Sequence, residues 1–182
     1  MKGPVGLDVR PTGDRLKETL FNILGPSVFG AVVLDAFGGT GAIGIEALSR
    51  GAREAVFIEN IRSSTHLIRQ NLGVCGVVTG YRILEQDVFA ALRFLAREGF
   101  KANIVFFDPP YDWKPYADLL DLTFNRKLLS DPACAVIEHH RKSPVPESGN
   151  AYRRFRIVRQ GDHCLSFFRE EESQHETHET SE

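Results

Sequence analysis

The stretch "AVVLDAFGGTGAIGIEALSRG" (31–51) constrains this chain most. Its first part, 31–37, is an apolar run without alternation, the pattern of a strand buried on both faces. Glycines follow at once, and then "AIGIEALSR" (42–50), which reads as a helix stopped by Gly51. A doubly buried strand, a tight glycine turn and a helix together open a parallel sheet covered by helices. Gly39, Gly41 and Gly44 spell Gly-x-Gly-x-x-Gly, and Glu59 lies twenty positions after Gly39. On spacing alone this is a dinucleotide fingerprint.

The rest of the chain repeats the strand–helix alternation. "DRLKETLFNIL" (14–24) has apolar residues at the spacing of one helical face, and Pro26 ends it. "EAVFIE" (54–59) is the second strand, and "SSTHLIRQNL" (63–72) a helix with a Ser cap. "YRILEQD" (81–87) is a strand and "VFAALRFLARE" (88–98) an amphipathic helix. "ANIVFFD" (102–108) is a buried strand, a helix falls within 114–128, and "ACAVIEHH" (133–140) is a strand. "AYRRFRIVRQ" and "HCLSFFRE", joined by Gly161 and Asp162, read as an antiparallel hairpin. The expected fold is α/β, a doubly wound and mostly parallel sheet with an antiparallel C-terminal hairpin. Such sheets bind ligands at the carboxyl ends of their strands. That rule selects Asp35, Glu59, Asp87 and Asp108, each expected at a strand end. Four acids in register along one edge read as one site.

Asp35 discriminates between cofactors. A carboxylate beside the glycine loop repels a pyrophosphate. It attracts S-adenosylmethionine, which carries a sulfonium and an α-ammonium and no phosphate. Glycines let the backbone approach the ligand, and the helix starting near Ala42 aims free N–H groups at it. Glu59 has the position to accept hydrogen bonds from two ribose hydroxyls; the bland alternative is a surface charge at the start of a loop. Asp87 is placed to receive an adenine amino group, with Val88 and Phe89 walling the ring, but an N-cap for the next helix explains it almost as well.

"FFDPPYD" (106–112) is the strongest motif. Pro109 and Pro110 fix φ and bring no N–H donors. The loop therefore presents acceptors only, the Asp108 carboxylate and a backbone carbonyl of the Pro-Pro step, with Tyr111 as an aromatic face. Acceptors beside a stacking ring suit the capture of a planar base by its exocyclic NH2. The alternative is a rigid turn with a buried tyrosine.

Composition sets the setting. No apolar run reaches the length of a membrane span, and "MKGPVGLDVRPTGDR" lacks the apolar core of a signal peptide. Cys75, Cys134 and Cys164 have no metal-like spacing and read as reduced thiols, so the cytoplasm is the expected compartment. Residues 170–182 hold six of the 24 acids and no Lys or Arg, which leaves 18 acids against 22 bases in the body. The expected organisation is one domain, 1–169, with an acidic disordered tail, 170–182. A mildly basic body permits a polyanionic partner. Neighbouring His139 and His140 point to opposite faces of a strand and are not expected to share a metal ion. Arg154, Arg156 and Arg159 line the hairpin, as charge protecting an edge strand or as phosphate contacts.

"RPTGDRLKETLFNIL", "VLDAFGGTGAIGIEALSRGA", "VFIE" and "VFFDPPY" resemble the RsmD-like family of S-adenosylmethionine-dependent guanine-N2 methyltransferases of bacterial small-subunit ribosomal RNA. The resemblance runs from about Gly6 to Arg169. It implies the seven-stranded, Rossmann-like class I methyltransferase fold with an antiparallel final strand. It also implies that Asp35 to Gly41, with Phe37 and Gly39 between them, hold the methionine end of the cofactor. Glu59 would take the ribose, and Asp87 with Val88 the adenine. Asp108, Pro109, Pro110 and Tyr111 would hold the target base, and Arg10, Pro11 and Thr12 would lie over the mouth. The implied partner is ribosomal RNA or a small-subunit particle, with no membrane and no metal. The family usually has Ala at the position of Gly38, a mild change. It usually begins with a basic strand pair, whereas nine residues precede Arg10 here; weak RNA binding is the expectation. Other readings are a DNA amine methyltransferase acting on adenine N6 or cytosine N4, a dehydrogenase, which Asp35 and Asp-Pro-Pro-Tyr oppose, and a non-catalytic RNA-binding module of the same fold.

Overall fold

A computed structural model describes residues 11–171, with side chains from Gly13 onward. Helix α1 (Pro11–Leu24) starts three residues earlier than the apolar spacing indicates. Proline at a first helical position accounts for this, since its missing N–H needs no partner there. Leu16, Leu20, Phe21 and Leu24 form its buried face, and a short 3-10 turn, Gly25–Val28, carries Pro26. Then β1 (Val32–Ala36), α2 (Ala42–Ser49), β2 (Glu54–Ile58), α3 (Arg62–Val74), β3 (Tyr81–Leu84) and α4 (Val88–Arg97) follow. After them come β4 (Ala102–Phe107), α5 (Tyr116–Asn125), β5 (Leu129–His140), β6 (Tyr152–Gln160) and β7 (His163–Glu170).

The seven strands form one sheet in the order β3-β2-β1-β4-β5-β7-β6. The first five are parallel, and β7 runs antiparallel between β5 and β6. Side chains of a strand alternate between faces. Leu34, Ala36, Ile58, Val105, Phe107 and Ile137 therefore pack with Val88, Leu92 and Leu95 of α4 and Leu119 and Leu120 of α5. Val33, Ile104, Phe106, Val136 and Phe167 pack on the other face against α1. Ala55 and Phe57 meet Ile45 of α2 and Ile68 and Leu72 of α3. Each large side chain so buried contributes about 1.5–3 kcal/mol. Chain direction across the sheet reverses between β1 and β4, which opens a crevice at their carboxyl ends.

Several expected details are corrected. Helix α3 begins at Arg62, and Ile61 holds its N-cap position with no side-chain cap, so Ser63 is not a cap. Strand β3 ends at Leu84 and is half-buried, as suits an edge strand, which places Asp87 beyond the strand. Asp35 is the fourth of five residues in β1 rather than its end. Strand β5 starts at Leu129 rather than 133. There Ser130 Oγ donates to the Ala102 carbonyl at 3.1 Å and accepts from Asn103 Nδ2 at 2.9 Å, which stitches the early residues to β4 despite Asp131 and Pro132. The β6–β7 hairpin turns at Gly161 and Asp162 as expected, with a bulge between Arg154 and Arg156. The boundary expected after Arg169 falls inside ordered pairing. Glu170 ends β7, the Glu171 N–H donates to the Ala151 carbonyl at 3.0 Å, and the Glu171 carboxylate lies 3.7 Å from Arg153. Residues 172–182 of the expected tail lie outside the described residues.

Candidate active site

The glycine loop leaves β1 in a run of left-handed backbone: Phe37 at φ 67°, Gly39 at 54° and Gly41 at 77°. A side chain tolerates this region poorly, so the two glycines relieve the turn while Phe37 bears its cost. Gly44 has a different reason. A Cβ there would sit 2.3 Å from the Phe57 ring, so this glycine sets the close approach of α2 to β2. At Gly38 the tightest neighbour of a Cβ would be the Ile68 Cδ1 tip, at 3.1 Å, which is tight but yielding. Asn71, buried on α3, donates from Nδ2 to the Thr40 carbonyl at 2.9 Å and pins the loop from behind.

The acids on this side are already engaged by backbone donors. Asp35 Oδ2 accepts from the Gly44 N–H at 2.9 Å, and the side chain is buried. Glu59 accepts with both oxygens, from the Gly39 N–H at 2.9 Å and the Ile61 N–H at 2.8 Å. The twenty-residue spacing therefore latches the glycine loop to the end of β2. Asp87 is the N-cap of α4; its Oδ1 accepts from Phe89 at 3.0 Å and Ala90 at 3.1 Å.

A cleft opens beside these groups. Phe37, Glu59, Asp87, Val88 and Pro110 all line it, which brings expected cofactor and base residues to one wall. Trp113 lines it too. Its ring meets Phe37 edge-on at 5.5 Å, stacks on Phe89 at 6.0 Å and meets Tyr116 edge-on at 5.1 Å. The indole thus joins the Asp-Pro-Pro-Tyr loop to the glycine loop and α4.

The Asp-Pro-Pro-Tyr loop leaves β4 next to β1. The Pro110 carbonyl accepts from the Trp113 N–H at 2.9 Å and closes the turn. The Asp108 carboxylate and the Pro109 carbonyl have no hydrogen-bond donor among the described residues. Tyr111 is 74% exposed, so it is not the buried tyrosine of a merely rigid turn. Among the described residues its one ring neighbour is His140, edge-on at 5.4 Å. Glu138 of β5 and His163 of β7 stand behind Asp108, with His163 Nδ1 3.4 Å from Glu138 Oε1.

Burial pushes the Asp35 carboxyl up to about 7; the Gly44 N–H opposes the rise, and repulsion from Asp108 and Glu59 adds to it. Asp108 is also raised, first by the protein crowding it and then by Glu138, while His163 opposes. Water reaches Asp108 through the open mouth, which limits that rise. Glu138 is raised by burial. An acid cluster that resists its own ionisation favours a cationic ligand.

Of the expected site residues, Phe37, Glu59, Asp87, Val88 and Pro110 line the cleft, Gly39 is bonded to Glu59, Asp35 lies on β1, and the loop from Asp108 to Tyr111 follows the neighbouring strand β4. Arg10 and the side chain of Thr12 lie outside the described residues. Sequence reasoning left out Trp113, Glu138, His163 and Asn71. Trp113 was visible as the only tryptophan, directly after the motif, and Asn71 as an amide on an apolar helix face. Nothing local marks His163; only the antiparallel insertion of β7 carries it to Glu138. His139 has Nδ1 2.9 Å from the His140 carbonyl and Nε2 2.9 Å from Ser166 Oγ, an ordinary hydrogen-bonded core histidine.

Over residues 1–169 the chain matches the family described as Conserved hypothetical protein 95. It is 37% identical over 138 residues to Ribosomal RNA small subunit methyltransferase D of Escherichia coli K12, spanning 76% of this chain and 68% of that protein. It is 31% identical over 140 residues to the protein of the same name in Haemophilus influenzae, spanning 75% and 71%. The solved chain of yhhF from Escherichia coli superposes with a TM-score of 0.78 at 33% identity, over 94% of this chain and 92% of that one. An RNA methyltransferase from Salinibacter ruber, solved with S-adenosyl-L-homocysteine, shares the fold with a TM-score of 0.64 at 18% identity, over 87% and 92%.

Proposed function

This chain belongs to the RsmD family of ribosomal RNA methyltransferases, and from that premise we propose that it methylates small-subunit ribosomal RNA, with S-adenosylmethionine as donor, on the exocyclic N2 amine of a guanine. The residues fit that donor. None of the groups lining the Phe37–Trp113 cleft is a cation, and the acids beside it repel one another. S-adenosylmethionine supplies a methyl group already activated on a positive sulfonium.

The protein's work is then placement. Asp35 faces the cationic end from beneath the glycine loop. Glu59 keeps a lone pair on each oxygen for ribose hydroxyls while latching the loop, and Asp87 keeps its second oxygen for an adenine amine. Phe37, Val88 and Trp113 exclude water from the cleft. On the other side Asp108 and the Pro109 carbonyl accept the two N–H bonds of the target amine. This draws the nitrogen lone pair out of conjugation with the ring and aims it into the crevice. Tyr111 stacks on the base. Asp108, with its raised carboxyl, takes the proton that N2 gives up once it has been alkylated.

The observation that carries this reading is the pair of unpartnered acceptors, Asp108 and Pro109, beside an exposed Tyr111. The test is single-turnover methyl transfer to under-modified small-subunit particles, followed by mass mapping of the nucleotide. N2-methylguanine is expected. A methyl group on adenine N6 or cytosine N4, or transfer only to DNA, would overturn the target assignment.

A further inference from the structure

Two open concavities lie away from the crevice. They are two adjoining hollows between α4 and α5, sharing Arg93, Asn125 and Arg126. Arg97, Lys101 and Lys127 line the lower one. All five cations are exposed, and none has an ion-pair partner among the described residues. Arg93 and Arg97 are one turn apart on α4. Arg126 and Lys127 follow the end of α5, where the Lys101 ammonium donates to the Lys127 carbonyl. Asp118 and Asp121 occupy the upper wall near the mouth, so the positive stretch begins at Arg93.

The groove is connected to the site. The Arg93 guanidinium lies 5.9 Å over the Phe89 ring, whose other contact is Trp113 at 6.0 Å. Helix α4 runs from the mouth towards the amino ends of the strands, about 15 Å at 1.5 Å per residue. Unpaired cations at intervals along an open trough match a phosphodiester backbone. An acidic peptide bound as a helix or strand would need a row of apolar anchors beside the cations; Phe89, Pro115 and Leu122 line only the upper hollow, and the lower one, which holds Arg97, Lys101 and Lys127, has Ala96 alone.

We propose that the α4–α5 groove is a track for RNA phosphates. It carries the strand that flanks the target nucleotide from the mouth down past Arg93, Arg97 and Arg126 to Lys101 and Lys127. The proposal rests on the ribosomal RNA reading for the identity of the polyanion, but is read out by binding rather than by methyl transfer.

The test compares two charge-matched double variants of the full chain. One is Arg93→Gln with Arg126→Gln; the other is Arg53→Gln with Arg62→Gln, exposed cations on the α2–α3 side. Binding of a small-subunit rRNA fragment is titrated across salt, with S-adenosylmethionine affinity and thermal midpoint as controls. The groove variant should lose about tenfold or more in RNA affinity, and its log–log salt slope should flatten by about 1.4, at 0.7 per single-strand phosphate contact. The control pair should change the slope little, and cofactor affinity should stay at the parental value. Equal losses in both pairs would reduce the effect to net charge, and an unchanged groove variant would remove the track; either result overturns the proposal. Competition by polyglutamate as strong as that by RNA would overturn the choice of partner. If the parent binds RNA through the groove but transfers no methyl group to particles, the track stands and the methyltransferase reading falls. If the parent methylates particles and the groove variant binds them as the parent does, the reverse holds.

Discussion

The two halves of the crevice treat their carboxylates in opposite ways. On the β1–β2–β3 side the three acids hold backbone N–H groups: Asp35 that of Gly44, Glu59 those of Gly39 and Ile61, and Asp87 those of Phe89 and Ala90. On the β4–β5 side, among the described residues, Asp108 holds none, and Glu138 has only the neighbouring His163. A carboxylate bonded to its own backbone fixes a shape. One left without donors in a crowded place waits for a partner and is costly until it finds one. In the proposed reading the cofactor side is therefore a finished mould, and the target side an unsatisfied valency that an amine would complete.

The sharpest way to break this contrast is Asp108→Asn. The amide keeps the shape but offers a donor where the amine needs an acceptor. Single-turnover methyl transfer at saturating cofactor should fall about 10²–10³-fold, roughly 3–4 kcal/mol, while cofactor affinity and thermal midpoint hold. A parental rate would reduce the loop to a turn. Glu59→Ala should do the reverse. Calorimetry should show about ten- to a hundred-fold weaker S-adenosylmethionine binding, about 1.5–3 kcal/mol, together with a lower melting temperature, since Gly39 and Ile61 lose their acceptor. A drop in affinity without a change in melting would mean that the latch is unimportant to the fold.

Tyr111→Ala should leave stability unchanged, as an exposed ring with one edge contact predicts. It should weaken RNA capture by about 1–3 kcal/mol of stacking, read as a change in half-saturating RNA rather than in cofactor affinity. The smallest effect is one of pH. With Asp35 raised to about 7, the neutral form prevails below that value and the carboxylate above it. A cationic cofactor binds the carboxylate, so below about pH 7 binding should release a proton and affinity should climb with pH by at most tenfold per unit, levelling off above about 7 where no proton is left to release. Isothermal titration in buffers of different ionisation heat measures that proton. Asp35→Asn should flatten the climb; a parental profile in that variant would place the titrating group elsewhere.

The glycine-loop half of the crevice was legible because its signals are local. Gly39, Gly41 and Gly44 need special backbone or close packing, and a glycine run followed by a strand and an acid shows this in one short window. Asp108 to Tyr111 was legible for the same reason, as two prolines advertise missing donors. Element ends were less legible where tertiary bonds decide them. Ser130 and Asn103 extend β5 past a proline, and Ile61 starts α3 because Glu59 reaches it, not because Ser63 caps it. The cluster behind Asp108 was illegible in principle, because it arises from β7 entering between β5 and β6, a pairing between segments 25 residues apart, Glu138 and His163. The unpaired cations of the α4–α5 groove were scattered over four short segments, and only the packing of two helices makes them a row.

Trp113 is the only tryptophan in the chain, and it sits where Phe37 of the glycine loop, Phe89 of α4 and its own loop meet. Ultraviolet emission excited at the indole edge therefore comes from this joint alone. In the proposed reading a cofactor filling the cleft would replace water against one face of the ring, and a base held by the loop would lie close to it. One unlabelled spectrum can follow both events, in the order in which they occur and on the timescale of mixing.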